Sequence, residues 1–400
     1  MCSRLASNAL VGEKGRTGFK HCVVGALAAL ALSCFGPAYG ESSDKPLSAH
    51  KVLAKVQVET LLEGLQHPWA LAFLPNDEGV LITERPGRLR LWRAGELSPA
   101  LEGVPAVYAR AQGGLLDVAL SPSFPDNRLV YLAYAEQDND TGRAGTAVGV
   151  GRLSDDGRAL EDFKVIFRQQ PKLSSGVHFG ARLVFDPAGY FFIALGENNQ
   201  RSTAQDLDKH QGKLLRLMPD GSVPQDNPFV GKPQALPEIW SYGHRNPQGA
   251  ALNPWTGRVW VHEHGPRGGD EINIPQAGLN YGWPIATHGS NYSGFAIPEA
   301  VGAEVKGMEP PHYVWKESPA ISGMAFYSAG RFPQWRNSVF IGALKDRELI
   351  RLQLEGDQIV AEERLLGELG ERVRDVRQGP DGYIYVLTDS SNGALLRISP

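Results

Sequence analysis

Basic and amide side chains recur in this sequence beside short apolar runs, mostly directly before them. These residues are Gln112, His178, Arg245 with Asn246, Lys345, and Arg372 with Arg374. Arginine binds planar carboxylates through paired hydrogen bonds, so several cations at equivalent positions predict a small ligand with several carboxylates. Positive charge beside a histidine favours its neutral form, which can accept a proton. His178 is therefore the candidate general base.

Each of these residues also has an ordinary structural interpretation. A histidine in a turn is often a packing residue, and paired arginines often form a solvated strand edge. Arg372 and Arg374 would point to the same face of a strand, where Asp375 or Glu371 could pair with one of them. The recurrence of polar residues at one point of several repeats favours ligand binding.

Six apolar repeats must position these side chains. Each repeat is an apolar strand, a turn with Pro, Asp or Gly, and a second apolar strand, and they begin at Trp69, Leu116, Ala181, Gly249, Gly323 and Asp375. Their spacing of about 45 to 75 residues is typical of propeller blades with loop insertions. We predict an all-β chain, a six-bladed β-propeller with four-stranded antiparallel blades, over residues 51–400. The repeat count disfavours a pair of β-sandwiches, and the long period disfavours a β-helix.

The two ends of the chain are expected to share one blade. The last apolar run, 394–398, ends almost at the C-terminus, and residues 52–61 could complete its sheet, which would remove an exposed sheet edge. The charged stretches 203–213 and 361–369 are at most short helices or surface turns.

The first forty residues differ from the rest. Four basic residues precede an apolar run at 23–35, and Ala38-Tyr39-Gly40 is a small-residue cleavage site. This pattern predicts an export signal peptide, 1–40, that is removed, followed by a short polar segment, 41–50. The apolar run is too short to span a bilayer, so we expect a periplasmic protein without a membrane span. Lipidation at Cys34 is the weaker alternative.

The predicted mature chain is acidic and free of cysteine. Cys2, Cys22 and Cys34 all lie in the signal segment, which excludes disulfides and thiolate metal sites from the mature protein. Removing the net +3 of the signal takes the formal charge from −4 to −7. That balance argues against a nucleic-acid partner.

The densest polar stretch, 237–284, surrounds the apolar run 259–262. It holds His244 and His264, which either line a pocket or only cap a strand, and a Gly265-Pro266 turn. Turn residues flank the run on both sides, which predicts a strand with a polar loop at each end.

Six stretches together resemble the soluble quinoprotein aldose sugar dehydrogenases, members of the soluble glucose/sorbosone dehydrogenase family that use pyrroloquinoline quinone. They cover nearly the whole chain after the signal, and they are HFGARLVFD from His178, ENNQRSTAQDLDKHQGKLLRL from Glu197, WSYGHRNPQGAALNP from Trp240, EHGPRGGDEINIPQAGLNYGWP from Glu263, GALKDREL from Gly342 and RVRDVRQGPDGYIYVLTD from Arg372. Each stretch is weak alone, but the set in this order is specific.

The resemblance implies an enzyme that oxidises the C1 hydroxyl of aldoses to lactones. Glucose-type sugars, with disaccharides as a second class, would pass hydride to the bound quinone, and an unidentified external acceptor would take the electrons. His178 would remove the hydroxyl proton, and Arg245 and Asn246 would contact the quinone oxygens. The cofactor's carboxylates and its other polar edge would be held by Gln112, Lys345, Arg372 and Arg374.

The resemblance also implies two calcium ions, which suit oxygen ligands on flexible loops. The carbonyls of Gly265 and Pro266 would bind one ion at the cofactor, and Glu271 with the carbonyl of Tyr281 would bind a structural ion. One position departs from the pattern: glucose-oxidising relatives have Asp directly before the base, and this chain has Val177. The hydrogen bond that orients the base must come from elsewhere or be absent.

Two other functions fit a six-bladed propeller. A calcium-dependent lactonase would need side-chain carboxylates around an axial metal, whereas the positions named above are mostly cationic. A non-enzymatic propeller would bind a carbohydrate or a protein by its loops. The loops 224–235 and 291–317 are expected to set sugar preference, and the protein is expected to be a monomer or homodimer.

Overall fold

Short apolar strands separated by turns account for nearly all the regular structure of residues 56–400, the part of the chain that the computed structural model describes. In that part, 24 strands form six antiparallel sheets of four strands each. The prediction of a six-bladed propeller with four-stranded blades is confirmed. The predicted signal peptide, 1–40, and the polar segment, 41–50, lie outside the described residues.

The blades are numbered from the N-terminal end, and strands β1 to β24 follow chain order. The first blade contains β2 to β5, at Pro68–Phe73, Val80–Glu84, Arg88–Arg93 and Glu96–Leu97. The second contains β6 to β9, at Leu115–Leu120, Leu129–Gln137, Ala144–Leu153 and Leu160–Arg168. The third contains β10 to β13, at Gly180–Phe185, Phe191–Leu195, Lys213–Leu217 and Ile239–Tyr242.

The remaining three blades have the same organisation. The fourth blade contains β14 to β17, at Pro247–Leu252, Val259–Glu263, Asp270–Asn273 and Tyr313–Trp315. The fifth contains β18 to β21, at Ile321–Tyr327, Ser338–Ala343, Leu349–Glu355 and Gln358–Leu365. The sixth contains β22, β23, β24 and β1, at Val373–Gln378, Ile384–Thr388, Gly393–Ser399 and Gln57–Leu65.

Each predicted repeat begins in the first strand of a blade, and these six strands pack side by side around a central axis. Close packing there requires small residues. A Cβ atom at Gly249 would collide with the His262 ring, and one at Gly323 would collide with the Asp375 carboxylate. Apolar side chains of neighbouring blades fill the space between the sheets. Trp260 and Met324, for example, belong to a buried cluster between the fourth and fifth blades.

Charged side chains fill the axis itself. The Arg182 guanidinium lies 3.2 Å from an Asp117 oxygen and 3.0 Å from an Asp375 oxygen, and Arg377 contacts the same two acids. Arg182 also lies over the Trp69 ring, 4.1 Å from its centre. Because Arg182 and both acids are fully buried, this paired network ties three blades together at the axis.

The ring closes through its two ends, as predicted. Strand β1 pairs antiparallel with β24, with Gln57 opposite Ser399 and Leu65 opposite Gly393. The N-terminal strand therefore starts five residues and ends four residues later than the predicted 52–61. An Arg397 guanidinium also bonds the Glu59 carboxylate across this pair.

Helices are short and few in residues 56–400. They are one α-helical turn, Phe124–Asn127, and 3-10 turns at Pro75–Asp77, Arg201–Gln205, Pro333–Trp335 and Gly367–Leu369. In this range, no helix combines the length and the apolar character required to cross a bilayer. The charged stretch 361–369 is wrong as a helix or turn over its first half, because residues 361–365 pair with β20 as part of β21.

Candidate active site

The loops that enter the first strands bring most of the predicted site residues to one end of the ring. Gln112 precedes β6, His178 precedes β10, Asn246 precedes β14 and Arg372 precedes β22. A cavity of about 200 Å³ opens there, and its lining includes Gln112, Asn246, Arg372, Arg374, Asp389 and the Trp69 ring. Four of the predicted cofactor residues therefore share one cavity.

A second cavity of about 520 Å³ adjoins the first, because His264 and Ala320 line both. Its lining contains Gly265, Pro266 and Lys345. We call the first the axial cavity and the second the side cavity. His178 and Arg245 are absent from both linings, although their chain neighbours Phe179 and Asn246 line the axial cavity.

His178 is held by two contacts and a constrained backbone. Its N–H donates to the Gln112 side-chain oxygen at 2.8 Å, and its Nδ1 lies 2.7 Å from the Glu197 carboxylate. Its φ of 54° is left-handed, a conformation that costs energy for a residue with a side chain. The ring is 12% exposed, and Nε2 has no hydrogen-bond partner among the described residues. One ring nitrogen is thus fixed while the other faces outward.

Glu197 was not predicted as a site residue. It is fully buried, its Oε2 also accepts the Asn199 N–H at 3.1 Å, and its Oε1 has no partner. Its own N–H donates to the Arg245 carbonyl at 2.9 Å, which links the third blade to the fourth. The orienting contact that Val177 cannot supply therefore comes from Glu197.

Arg245 is a buried cation beside the site. Its guanidinium donates to the His264 carbonyl at 3.0 Å and lies 5.3 Å from the centre of the Trp283 ring. Within residues 56–400, no carboxylate lies at ion-pair distance from this guanidinium, and its Nε has no partner. Its backbone N–H bonds the Glu263 carboxylate. Arg245 therefore keeps uncompensated positive charge.

The paired arginines share one acid that the sequence did not reveal. Arg372 and Arg374 donate to the same oxygen of Asp389, at 3.0 and 3.3 Å, so the expected partners Asp375 and Glu371 are wrong. Burial alone would raise the pKa of Asp389, but Arg374, His67 and Arg372 outweigh it and hold that pKa below its ordinary value. These two cations therefore share a matching acid within the site.

Arg374 retains capacity for a ligand despite this pair. Burial, reinforced by Arg182 and Arg372, lowers its pKa to about 10, against the opposing effect of Asp389. Its Nε has no partner, and its Nη1 donates to the Gln248 oxygen at 3.1 Å. The Gln248 amide donates in turn to the Asn246 oxygen at 3.2 Å. Two cations on one carboxylate leave net positive charge in the cavity.

The fifth blade contributes Lys345 and Ser318 to the side cavity. Lys345 is exposed, donates to the Ser318 carbonyl at 2.9 Å and lies 3.3 Å from Asp346. The Ser318 hydroxyl is buried without a partner and lines the same cavity. Ser318 was also missed from the sequence, because an isolated serine in a loop has no distinctive pattern.

The Gly265-Pro266 turn lies between a histidine and an acid. The Gly265 N–H donates to Asp270 at 3.0 Å, which fixes the turn against the start of β16. Burial lowers the pKa of His264 to about 4, with Arg245 and Arg374 adding to the effect, so this ring is neutral near neutral pH. His264 lies between the two cavities, as the pocket-lining interpretation expected.

Glu271 and Tyr281 line a third cavity, of about 340 Å³, which shares no lining residue with the axial or side cavity. Burial, with Glu263 and Asp270 nearby, raises the pKa of the Glu271 carboxyl well above its ordinary value. Asn273 donates to both Glu263 and Glu271, and its own side-chain oxygen is buried without a partner. Clustered acids and an unpaired amide oxygen form a donor set suited to a cation.

His244 is a structural residue. It is fully buried, with Nδ1 2.8 Å from Glu263 and Nε2 2.9 Å from the Ser241 hydroxyl. Its ring stacks on Tyr281 at 5.0 Å. The expectation that this histidine lines a pocket does not hold for the axial and side cavities, because His244 is in neither lining.

One sequence signal could have found the missed acids. In four blades an acid lies at or just after the end of the second strand and contacts a basic or imidazole side chain; these acids are Glu84, Glu197, Glu263 and Asp389. An acid directly after a buried apolar strand is costly unless it is paired. The recurrence of an acid at this position in several blades predicts a basic partner on a neighbouring segment.

Residues 65–397 match the family model described as Glucose / Sorbosone dehydrogenase. The chain is 62% identical to an aldose sugar dehydrogenase of Escherichia coli, over 87% of this chain and 94% of that one. The crystal structure of the apo-form of a soluble aldose sugar dehydrogenase from Escherichia coli superposes with a TM-score of 0.85, at 61% identity, covering 86% of this chain and all of that one.

A third comparison involves a structure with its cofactor. The PQQ-bound form of an aldose sugar dehydrogenase from Streptomyces coelicolor superposes with a TM-score of 0.70, at 28% identity, covering 86% of this chain and 99% of that one. The family model spans all six blades described above. This chain belongs to the glucose/sorbosone dehydrogenase family.

Proposed function

We propose that this chain is a quinoprotein that oxidises the C1 hydroxyl of aldose sugars to lactones. Glucose-type sugars are the main substrate class and disaccharides the second. The observation that carries the proposal is the His178–Glu197 pair beside a cavity lined by arginine and amide side chains. Family membership and the PQQ-bound relative support the choice of cofactor.

His178 has the geometry of a general base. If Nδ1–H donates to Glu197, then Nε2 carries a lone pair and can accept the proton of a sugar hydroxyl. The Glu197 carboxylate then stabilises the imidazolium that forms, as the acid does in a catalytic triad. The Gln112 contact and the left-handed backbone hold the ring in this orientation.

The unsatisfied donors of the site fit an anionic, oxygen-rich cofactor. Arg245 and Arg374 each have a buried Nε without a partner, and the Ser318 hydroxyl is buried without one. Pyrroloquinoline quinone would supply a two-electron acceptor for hydride. Its quinone oxygens would be contacted by Arg245 and Asn246, and its carboxylates and remaining polar edge by Gln112, Lys345, Arg372 and Arg374. Positive charge there stabilises negative charge that develops on the acceptor.

The proposal also includes two calcium ions. Gly265 and Pro266 line the side cavity, and their carbonyls would hold one ion next to the cofactor. Glu271 and the Tyr281 carbonyl would hold a second ion, where burial and the neighbouring acids disfavour an uncompensated carboxylate. The described residues contain no cluster of three or more His, Cys, Asp or Glu suited to a metal, so carbonyl oxygens would supply much of both coordination shells.

Export to the periplasm is part of the proposal and has its own test. The sequence predicts that cleavage follows Gly40, so the mature protein would begin at Glu41. Mass spectrometry of the protein isolated from a periplasmic extract gives the mature N-terminus. A full-length chain retained in the cytoplasm would contradict this part of the proposal.

The experiment that tests the function is an absorbance titration of metal-stripped mature protein with pyrroloquinoline quinone and calcium, followed by glucose. We expect saturable binding, and then bleaching to the reduced quinone spectrum when sugar is added. Binding without bleaching would contradict glucose as a substrate. No binding would overturn the quinoprotein proposal and direct attention to lactone hydrolysis, although the one acid of the axial cavity, Asp389, is already paired with two arginines.

A further inference from the structure

One loop in the fourth blade exposes an apolar surface beside the proposed site. Tyr292, Phe295 and Val301 are 75%, 77% and 78% exposed, and they account for three of the six most exposed large hydrophobic residues in the described chain. Contiguous exposed apolar side chains commonly mark a binding surface. We call these three residues the aromatic loop patch.

The loop that carries the patch is anchored from several sides. Ile297 is buried against Trp283 and Ala204, and Arg201 pairs with Glu299 at 3.2 Å. Such anchoring means that the patch is exposed on a fixed support and is not the tip of an unattached loop. Trp283 is also the ring over which the Arg245 guanidinium lies. The patch is thus connected to the site through a single packed side chain.

Tyr292 forms part of the wall of the side cavity. The same lining contains Gly265, Pro266 and Lys345, and His264 also lines the axial cavity. Two backbone hydrogen bonds between Arg267 and Ser290 hold this part of the loop against the Gly265-Pro266 turn. Tyr292 therefore lines a cavity that adjoins the axial cavity.

We propose that Tyr292 forms a second sugar subsite, which binds the non-reducing unit of a disaccharide while the reducing unit lies at His178. This inference rests on the proposed function. Aromatic rings combine a large apolar face with a polar tip, and the apolar face of a pyranose packs on such a ring. Ser290, Lys316 and Glu317 line the same cavity and provide donors and acceptors for hydroxyl groups.

The composition of the wall favours a neutral sugar over a protein electron acceptor. Arg267 and Lys316 are basic, whereas Glu317 and Asp270 are acidic, so the lining has no single sign of charge. Docking of a charged redox partner is usually steered by a surface of one sign. A neutral, hydroxyl-rich ligand uses mixed donors and acceptors with an aromatic face. The cavity also has more room than the axial cavity alone.

The test compares glucose with maltose on protein reconstituted with pyrroloquinoline quinone and calcium. For Tyr292→Ala we expect KM for maltose to rise about tenfold, the size of one lost aromatic contact, with KM and kcat for glucose changed less than twofold. Tyr292→Phe keeps the ring and should retain both values. Val301→Ala is the matched control, because Val301 is equally exposed in the same loop but lies outside the cavity lining.

Binding without turnover separates this proposal from the proposed function. Methyl maltoside is blocked at C1 and cannot be oxidised, so saturation-transfer NMR reports its binding to wild type and to Tyr292→Ala independently of chemistry. Loss of methyl maltoside binding in Tyr292→Ala would support the subsite even if wild type failed to oxidise glucose. Equal changes for glucose and maltose, no change for either sugar, or a defect that depends only on acceptor concentration would overturn it.

Discussion

His178 and His244 occupy equivalent places in the third and fourth blades. Each lies in the loop before the first strand, and each contacts a glutamate nineteen residues later, near the end of the second strand. The Nδ1 to carboxylate distances are 2.7 and 2.8 Å. Yet the His178 ring is 12% exposed with Nε2 unpaired, whereas the His244 ring is fully buried with Nε2 on Ser241.

The two pairs show that a histidine bound to a carboxylate is not by itself a catalytic signal. The role of each histidine depends on the surroundings of its second ring nitrogen, Nε2. In the third blade it faces outward beside the axial cavity, and in the fourth it faces a hydroxyl within the protein. Under the proposed function, the same local geometry would serve proton transfer in the third blade and packing in the fourth. The following predictions test that division.

Replacing the two histidines should separate activity from stability most strongly. For His178→Ala we expect kcat/KM for glucose to fall about 10³-fold, the size of a lost general base, together with some loss of Tm because the buried Glu197 loses its partner. For His244→Ala we expect a loss of about 3 kcal/mol of stability from the cavity and lost hydrogen bonds, with most activity kept in the folded fraction. Steady-state kinetics and thermal melts measure both. A His178→Ala protein with more than a tenth of normal activity would refute its role as base.

Neutralising the two glutamates should give the next largest effect. For Glu197→Gln we expect kcat to fall on the order of 10²-fold, because an amide cannot stabilise the imidazolium. Glu263→Gln is the matched control and should lower Tm while leaving kcat of the folded protein nearly unchanged. Equal losses of kcat in both variants would contradict the distinction.

A buried lysine beside His244 should make the structural region sensitive to pH. Lys213 is fully buried, donates to three backbone carbonyls and follows Gly212, whose carbonyl accepts the His244 N–H. Burial lowers its pKa to about 7. The unfolded chain stays protonated up to about pH 10.5, so between pH 7 and 10.5 the folded state binds fewer protons and gains stability as pH rises.

Lys213→Met should remove that dependence. We expect the Tm advantage of wild type over the variant to be several degrees larger at pH 9 than at pH 6, measured by calorimetry in matched ionic strength. Lys209→Met is the control, since Lys209 lies in the adjacent loop but is partly exposed and paired with Asp206. Parallel Tm curves for wild type and Lys213→Met would show that Lys213 stays charged when buried.

Ser241→Ala should give the smallest change. It removes the hydroxyl at His244 Nε2, so we expect a loss of about 1 kcal/mol, roughly 2 °C in Tm, with kcat unaltered. The readouts are a thermal melt and a glucose assay on the same preparation. A fivefold change in kcat would show that His244 communicates with the site after all.

The fold could be predicted from sequence because the patterns that indicate its strands are local. Apolar runs with turn residues mark the first strand of every blade, and Trp69 and Asp375 lie where the first and last repeats were predicted. The closing strand was also predicted, with its bounds shifted by five and four residues relative to β1. Such shifts are ordinary, because strand ends depend on pairing as well as on pattern. The prediction of a short helix or turn at 361–369 was wrong in its first half, because the charged residues there belong to a half-exposed strand.

The site could be predicted from sequence only in part, because the residues that contact one another in it are far apart along the chain. Gln112, Asn246, Arg372 and Arg374 share a cavity, as equivalent loop positions predict. Glu197 and Asp389 were missed as partners because loop conformation and strand register decide which acid reaches which base.

The pairing of β1 with β24 has a consequence for the order of folding. Glu59 is bonded to Arg397 across 338 positions, so the sixth sheet needs both the first and the last segments of the chain. Until the final residues are synthesised, β1 has no partner and the ring has two unpaired edges, which favour association with other chains. If the chain is exported, the segment that emerges first must wait unpaired for the segment that emerges last. For an exported chain, the sixth blade would therefore be the part of the molecule that most needs protection before folding is complete.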